Sequence, residues 1–165
     1  MSPVIRPAAA EDAAAICRIY NQGIEDRIAT LETDPRTPND RRAWLRGRGP
    51  RHPVLVAEQD GEVVGWASLN SFSSRAAYDA VADFSIYVER SQRGRGVGRL
   101  LLERLVLKAQ ELDYHKLVLA TLAHNAAGAA LYEKVGFRRV GVYREQGRLD
   151  GQWVDVLLME KLLGT

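Results

Sequence analysis

At 165 residues, 46% hydrophobic and 27% charged, the chain has the proportions of one globular domain over 1–165, long enough to bury a core. A net charge of +2 is too small to point to nucleic acid. No apolar stretch approaches the roughly 18 residues of a membrane span, and the N-terminus lacks a basic-then-apolar export signal, so a cytoplasmic protein without a membrane partner is expected. The one cysteine, Cys17, excludes an internal disulfide, and His52, His115 and His124 lack the spacing of metal ligands.

Val4-Ile5-Arg6 reads as a first strand ended by Pro7. A helix follows, with Glu11 and Asp12 at its positive end and Ile16, Ile19, Tyr20 and Ile24 as its buried stripe. Asn21 to Arg36 is irregular and expected to be mostly loop. Thr37-Pro38-Asn39-Asp40 begins a second helix, with Thr37 as N-cap and Pro38 at N1. That helix carries Trp44 and stops at Gly47 or Gly49. Strands at 53–58 and 63–69 flank the hairpin turn Asp60-Gly61.

Asn70 to Val81 is a polar loop, followed by a strand at 82–88 and a helix from about Gly98 to Leu112. Lys116 to Thr121 is a buried strand, which makes a right-handed βαβ crossover with parallel pairing the expectation. Asn125 caps a helix over 126–135 that ends at Gly136. Phe137 to Tyr143 and Gln152 to Lys161 are the last strands, with a turn at Asp150-Gly151. The class is α/β: about seven strands in one mixed sheet, helices on both faces.

Between the strand at 82–88 and its following helix lies Gln92-Arg93-Gly94-Arg95-Gly96-Val97-Gly98-Arg99. A strand, a glycine-rich turn and a helix start aim several unpaired N–H groups at one point, which suits an anion and above all a phosphate. The P-loop ending Gly-Lys-Ser/Thr is absent, and a G-x-G-x-x-G fingerprint fails because the third glycine, Gly98, comes one position early. Arg90, Arg93, Arg95 and Arg99 surround the turn. They are either a solvated face or partners for a ligand carrying several phosphates.

Arg93-x-x-Gly96-x-Gly98 resembles the pyrophosphate loop of the GCN5-related N-acetyltransferase (GNAT) family. Two more segments follow in that family's order: the strand at 116–121 with Asn125, and Leu131-Tyr132-Glu133-Lys134-Val135-Gly136-Phe137. Thr30 to Thr37, Arg75-Ala76-Ala77-Tyr78-Asp79 and Gly151 to Asp155 resemble, more narrowly, the branch that acetylates phosphinothricin, methionine sulfoximine and arsinothricin. The resemblance implies a single-domain GNAT fold and an acetyl-CoA-dependent enzyme. Its acceptor would be the amine of a small, glutamate-like amino acid, it would need no metal, and it would work as a homodimer in resistance or detoxification. Acetylation of a peptide, a protein or another small amine is the alternative within the class. A non-catalytic acyl-CoA sensor is the alternative outside it.

The same resemblance implies roles for single residues. Acetyl-CoA would be held along Arg93, Gly94, Arg95, Gly96, Val97, Gly98 and Arg99, by Asn125, and by the strand backbone at Tyr87 and Val88. Asn125 serves equally as a plain helix cap. Asp83 falls where the branch carries a glutamate as general base, and its side chain is about 1.5 Å shorter; it is either that base or a structural carboxylate. Tyr132 would protonate or hydrogen-bond the leaving thiolate. Leu31, Arg75, Tyr78 and Asp83 would meet the acceptor, with the arginine fork suited to a carboxylate or phosphinate.

Overall fold

A computed structural model describes residues 2–164. In chain order its elements are β1 (Val4–Pro7), α1 (Ala13–Asp26), α2 (Pro38–Arg46), β2 (Val54–Gln59), β3 (Glu62–Ser71), β4 (Val81–Val88), α3 (Val97–Glu111), β5 (Lys116–Leu122), α4 (Ala126–Lys134), β6 (Arg138–Leu149) and β7 (Gln152–Leu162). The local signals act as expected where they are strongest. Thr37 Oγ1 accepts from Asp40 N at 3.1 Å with Pro38 at N1. Asp60-Gly61 and Asp150-Gly151 both take positive φ at both residues, the geometry of a two-residue hairpin turn.

The seven strands form one sheet in the order β1-β2-β3-β4-β5-β7-β6. Every neighbouring pair is antiparallel except β4 and β5, which run parallel. That pairing is brief: only Val81, Ala82 and Asp83 meet Lys116, Leu117 and Val118. Beyond Asp83 the two strands part, and the middle of the sheet opens.

Both faces are covered. Leu101, Leu102 and Leu105 of α3 and Tyr132 of α4 pack on Leu55, Leu69, Phe84 and Met159. On the other face Ile16 and Ile19 of α1 pack on Val54, Val56 and Trp66, and Trp44 of α2 meets the Trp66 ring at 5.4 Å. Alternate residues of β2 thus enter opposite cores, as in a strand buried on both sides. A sheet clamped this way opens only at its weakest seam, the short β4–β5 ladder.

Four boundaries differ from expectation. Pro7 belongs to β1 and ends no strand before it, since β1 is an edge strand that can spare an N–H. Helix α1 continues to Asp26, through a stretch expected to be loop. Gly23 does not break it: a Cβ there would stand 2.8 Å from the Tyr87 ring, so this glycine serves close packing. Strand β3 runs on through Asn70 and Ser71 because the Asn70 side chain is anchored on both sides. Strand β6 reaches Leu149, six residues past its expected end; its polar stretch Arg144–Arg148 lies largely in solvent and carries no buried alternation to reveal it.

Candidate active site

The glycine turn is built for an anion. Gly94 and Gly96 have φ of +78° and +89°, and a Cβ at either would project into open space. Gly96 is the N-cap of α3 without a side-chain cap bond, and the Leu100 amide bonds back to the Gly96 carbonyl at 3.1 Å. The N–H groups of Val97, Gly98 and Arg99 are therefore left without helical acceptors. At Gly98 a Cβ would stand 3.2 Å from Leu131 Cδ2, so its absence lets α4 approach the cradle.

A cleft of about 480 Å³ runs from this turn between β4 and α4. Arg93, Gly94, Gly96, Gly98 and Arg99 line one end; Asn125, Leu131 and Tyr132 line the opposite wall, and Tyr87 and Val88 its floor. Such a cleft, ending on free helical N–H groups, fits the pantetheine and pyrophosphate of acetyl-CoA.

The basic residues around it differ in what they hold. Arg93 bonds Asp26 at 2.6 Å and the Val88 carbonyl at 3.3 Å, stapling the turn to the end of α1. Arg90 also grips Asp26, and the two guanidiniums, Arg90 foremost, hold that carboxyl below the usual range. Arg99 pairs with Glu103 at 2.7 Å. Arg95 is exposed and has no ion pair among the described residues. The Val97 side chain is buried in the core. Asn125 both lines the cleft and caps α4: Oδ1 accepts from Gly128 N at 3.0 Å, and Nδ2 donates to Thr121 Oγ1 at 3.1 Å.

A second cleft, about 240 Å³, lies where β4 and β5 part. Leu31, Asp83, Ser85 and Thr121 are among its walls, and it shares Ala29, Ile86, Tyr87 and Tyr132 with the first. The two clefts therefore meet beside Tyr132. Asp83 is the last residue of the parallel ladder and stands at the head of the opening. Burial lifts its carboxyl from 3.8 to about 6, against the pull of the Asn70 amide and the Phe84 N–H. A carboxylate so placed is ionised at neutral pH and is a stronger base than a solvated one.

The Tyr132 ring packs edge-on to Phe84 at 5.9 Å, and burial raises its hydroxyl to about 12. Tyr87 stacks on Trp66 at 5.1 Å and meets Tyr20 edge-on, and burial drives its hydroxyl up as well.

Arg75 and Tyr78 are not brought to either cleft. They sit on the exposed loop between β3 and β4, where the Tyr78 ring meets Phe72 at 5.5 Å. Among the described residues no cation lines the second cleft. Leu31 does line it, pressed against Gly147 of β6. Thr30, Ser85 and Thr121 line it too; Thr30 and Thr121 fall within segments that carry the resemblance, yet none of the three was expected as a site residue. The described residues contain no cluster of three metal-binding side chains and no helix long and apolar enough to cross a membrane.

The sequence model of the acetyltransferase (GNAT) family matches residues 15–137. The chain is 33% identical over 163 residues to a phosphinothricin N-acetyltransferase of Streptomyces coelicolor, covering 96% of this chain and 95% of that one. It is also 33% identical over 162 residues to an L-methionine sulfoximine/L-methionine sulfone acetyltransferase of Pseudomonas aeruginosa, covering 97% and 94%. A crystal structure of a GNAT superfamily phosphinothricin acetyltransferase from Sinorhizobium meliloti, in complex with acetyl-CoA, superposes with a TM-score of 0.91 at 30% identity, covering 99% and 90%.

Proposed function

The chain belongs to the acetyltransferase (GNAT) family, and from that membership we propose that it acts as a one-domain enzyme acetylating the amine of a small amino acid. The acceptor is of the phosphinothricin, methionine sulfoximine or arsinothricin type, and the outcome is resistance to a glutamate mimic. The observation that carries this reading is the junction of the two clefts beside Tyr132, with Asp83 in the wall of the smaller. One cleft suits the donor, the other is the size of a small acceptor, and a carboxylate and a phenol flank the place where they meet.

Acetyl-CoA supplies an acyl carbon activated by its thioester. The backbone N–H groups from Gly94 to Arg99 hold the pyrophosphate, with Arg95 free to add charge, and Asn125 borders the pantetheine arm. Asp83 accepts a proton from the acceptor's ammonium. The amine lone pair then forms the C–N bond and the C–S bond breaks. The second proton that nitrogen sheds as the amide forms leaves with the sulfur as the coenzyme A thiol, and Tyr132 donates a hydrogen bond to that departing sulfur. Beyond Asp83 the β4 edge facing β5 has lost its ladder partner, so an amide near Tyr87–Val88 is available to the carbonyl oxygen. A thiol-release assay tests the reading with phosphinothricin, methionine sulfoximine and arsinothricin against peptides and polyamines. Turnover with the amino acids alone is expected, and turnover with peptides alone overturns it.

Arg75 and Tyr78 belong to this proposal as acceptor-binding residues. They are reached either by movement of their loop or from a second copy, because they lie apart from the cleft of their own chain. We place the enzyme in the cytoplasm, where a single buried thiol fits, and we propose a homodimer formed through the C-terminal strands. Val140, Val142, Tyr143 and Trp153 are each about half exposed or more on β6 and β7, apolar side chains at the edge of the sheet that a partner would cover. Light scattering on the wild type should give twice the chain mass, and Val142→Glu combined with Tyr143→Glu should give the monomer. A monomeric wild type at assay concentration removes the dimer.

A further inference from the structure

Asn70 stands directly opposite Asp83 in the β3–β4 register. Its Oδ1 accepts from Arg48 Nη2 at 2.8 Å and from Ser68 Oγ at 3.0 Å. Its Nδ2 donates to Ser85 Oγ at 3.1 Å. The Arg48 donor fixes which way the amide points, since the flipped amide would set N–H against N–H there, whereas the Ser68 hydroxyl could accept as readily as donate. Nδ2 then has a second hydrogen for Asp83, and the Asn70 amide is the larger of the two groups, with the Phe84 N–H, that oppose the effect of burial on that carboxyl.

Arg48 is itself held on every side. Its Nε donates to the His52 carbonyl at 2.8 Å, Nη2 also reaches the Leu69 carbonyl, and the guanidinium lies 4.5 Å over the Trp44 ring. It has no carboxylate partner among the described residues, and its burial pulls its pKa down. A half-buried cation without an ion pair costs desolvation that only these hydrogen bonds and the indole face offset. What it does supply is a rigid donor to Asn70.

We infer that Arg48 and Asn70 are positioning residues for the acetyl transfer: Arg48 locks the Asn70 amide, and the amide's NH₂ end bonds and orients the Asp83 carboxylate toward the acceptor cleft. This rests on the reading of Asp83 as the base. The other ionisable groups on elements packed near Asp83 are Tyr87 on β4, Tyr132 on α4, Lys116 on β5, Glu160 on β7, and Arg75, Tyr78 and Asp79 on the preceding loop. Lys116 and Glu160 pair with each other, and Arg138 joins them. None of these charges moves Asp83; burial, the Asn70 amide and the Phe84 N–H do.

The test uses Arg48→Met, Arg48→Lys and Asn70→Ala. Two readouts are compared: the titration of the Asp83 carboxyl carbon by NMR, assigned by its loss in Asp83→Asn, and the acid limb of kcat/KM. In Arg48→Met and Asn70→Ala the carboxyl should titrate higher by about one unit, since a hydrogen bond to the charged form is lost. The acid limb should rise with it, and the acetyl-CoA KM should stay within about twofold of wild type. Arg48→Lys should recover part of the shift, because a single ammonium still donates to Oδ1. Asn70→Ala leaves the Arg48 anchors to the His52 and Leu69 carbonyls intact, so it decides the matter even where Arg48→Met folds poorly. An unmoved carboxyl titration in folded Asn70→Ala overturns the inference. A carboxyl that moves while the acid limb stays fixed upholds the hydrogen bond but removes Asp83 as the base, and with it the part of Arg48 and Asn70 in acetyl transfer.

Discussion

Asp83→Asn is expected to lower kcat/KM at pH 7 by about 10²–10⁴-fold, the range over which a positioned general base contributes. The wild-type profile should fall away below pH 6, as the carboxyl that burial has raised to about 6 takes up its proton. In the asparagine variant that limb should vanish. Activity should instead climb steadily with pH, because amines titrate well above neutrality and only the free base attacks. An unchanged profile in the variant would remove Asp83 from the chemistry and leave it a structural carboxylate. The short side chain is compatible with the role. Asp83 is the last residue before β4 and β5 separate, so the backbone itself carries the carboxylate to the opening.

The same burial has a cost that stability measurements read separately. The folded Asp83 titrates at about 6 against an ordinary 3.8, so the folded protein binds this proton more tightly than the unfolded chain. The stability this lends is complete below about pH 4 and is lost as the pH rises through about 6. Above that the ionised carboxylate weighs against folding by about 2–3 kcal/mol. Asparagine avoids the penalty. Asp83→Asn should therefore melt higher than wild type at pH 7.5 and level with it at pH 4, even as its activity collapses. A gain in stability with a loss of activity separates a strained functional group from a structural one.

The order of elements and the donor cradle were legible because their signals are local. Positive φ at Gly94 and Gly96, the Thr37 cap and the two Asp-Gly turns each act within a few residues of themselves. The acceptor side was legible only in part. Asp83 and Tyr132 could be named, and the structure brings both to the second cleft. Nothing in the chain's periodicity shows that β4 and β5 pair over only three residues. The long-range partners were hidden as well. Arg93 has the look of a phosphate contact, and its Asp26 partner lies 67 residues away. Arg48 sits just past the end of α2, and its tie to Asn70 depends on where β3 ends. Arg75 and Tyr78 fit a motif position by position, yet a motif carries no information about where the loop that holds it lies relative to the clefts.

Tyr132→Phe should slow turnover by about 10²-fold, with the acetyl-CoA KM and the melting temperature little changed. The ring is held by Phe84 and Phe137, and phenylalanine keeps those contacts. Among the described residues the hydroxyl has no hydrogen-bond partner, so deleting it breaks no internal bond. With the hydroxyl at about 12 and a thiol near about 8.5, moving the phenolic proton fully onto free thiolate is uphill by about 5 kcal/mol. Tyr132 is therefore expected to act as a hydrogen-bond donor that strengthens as charge builds on sulfur, a stabilisation confined to the transition state. Leaving groups supply the check. With acetyl thioesters of graded thiol pKa, the variant should lag most on the poorest leaving group and approach wild type on the best. A deficit that ignores thiol pKa would assign the lost hydroxyl a binding role in place of a part in expelling sulfur.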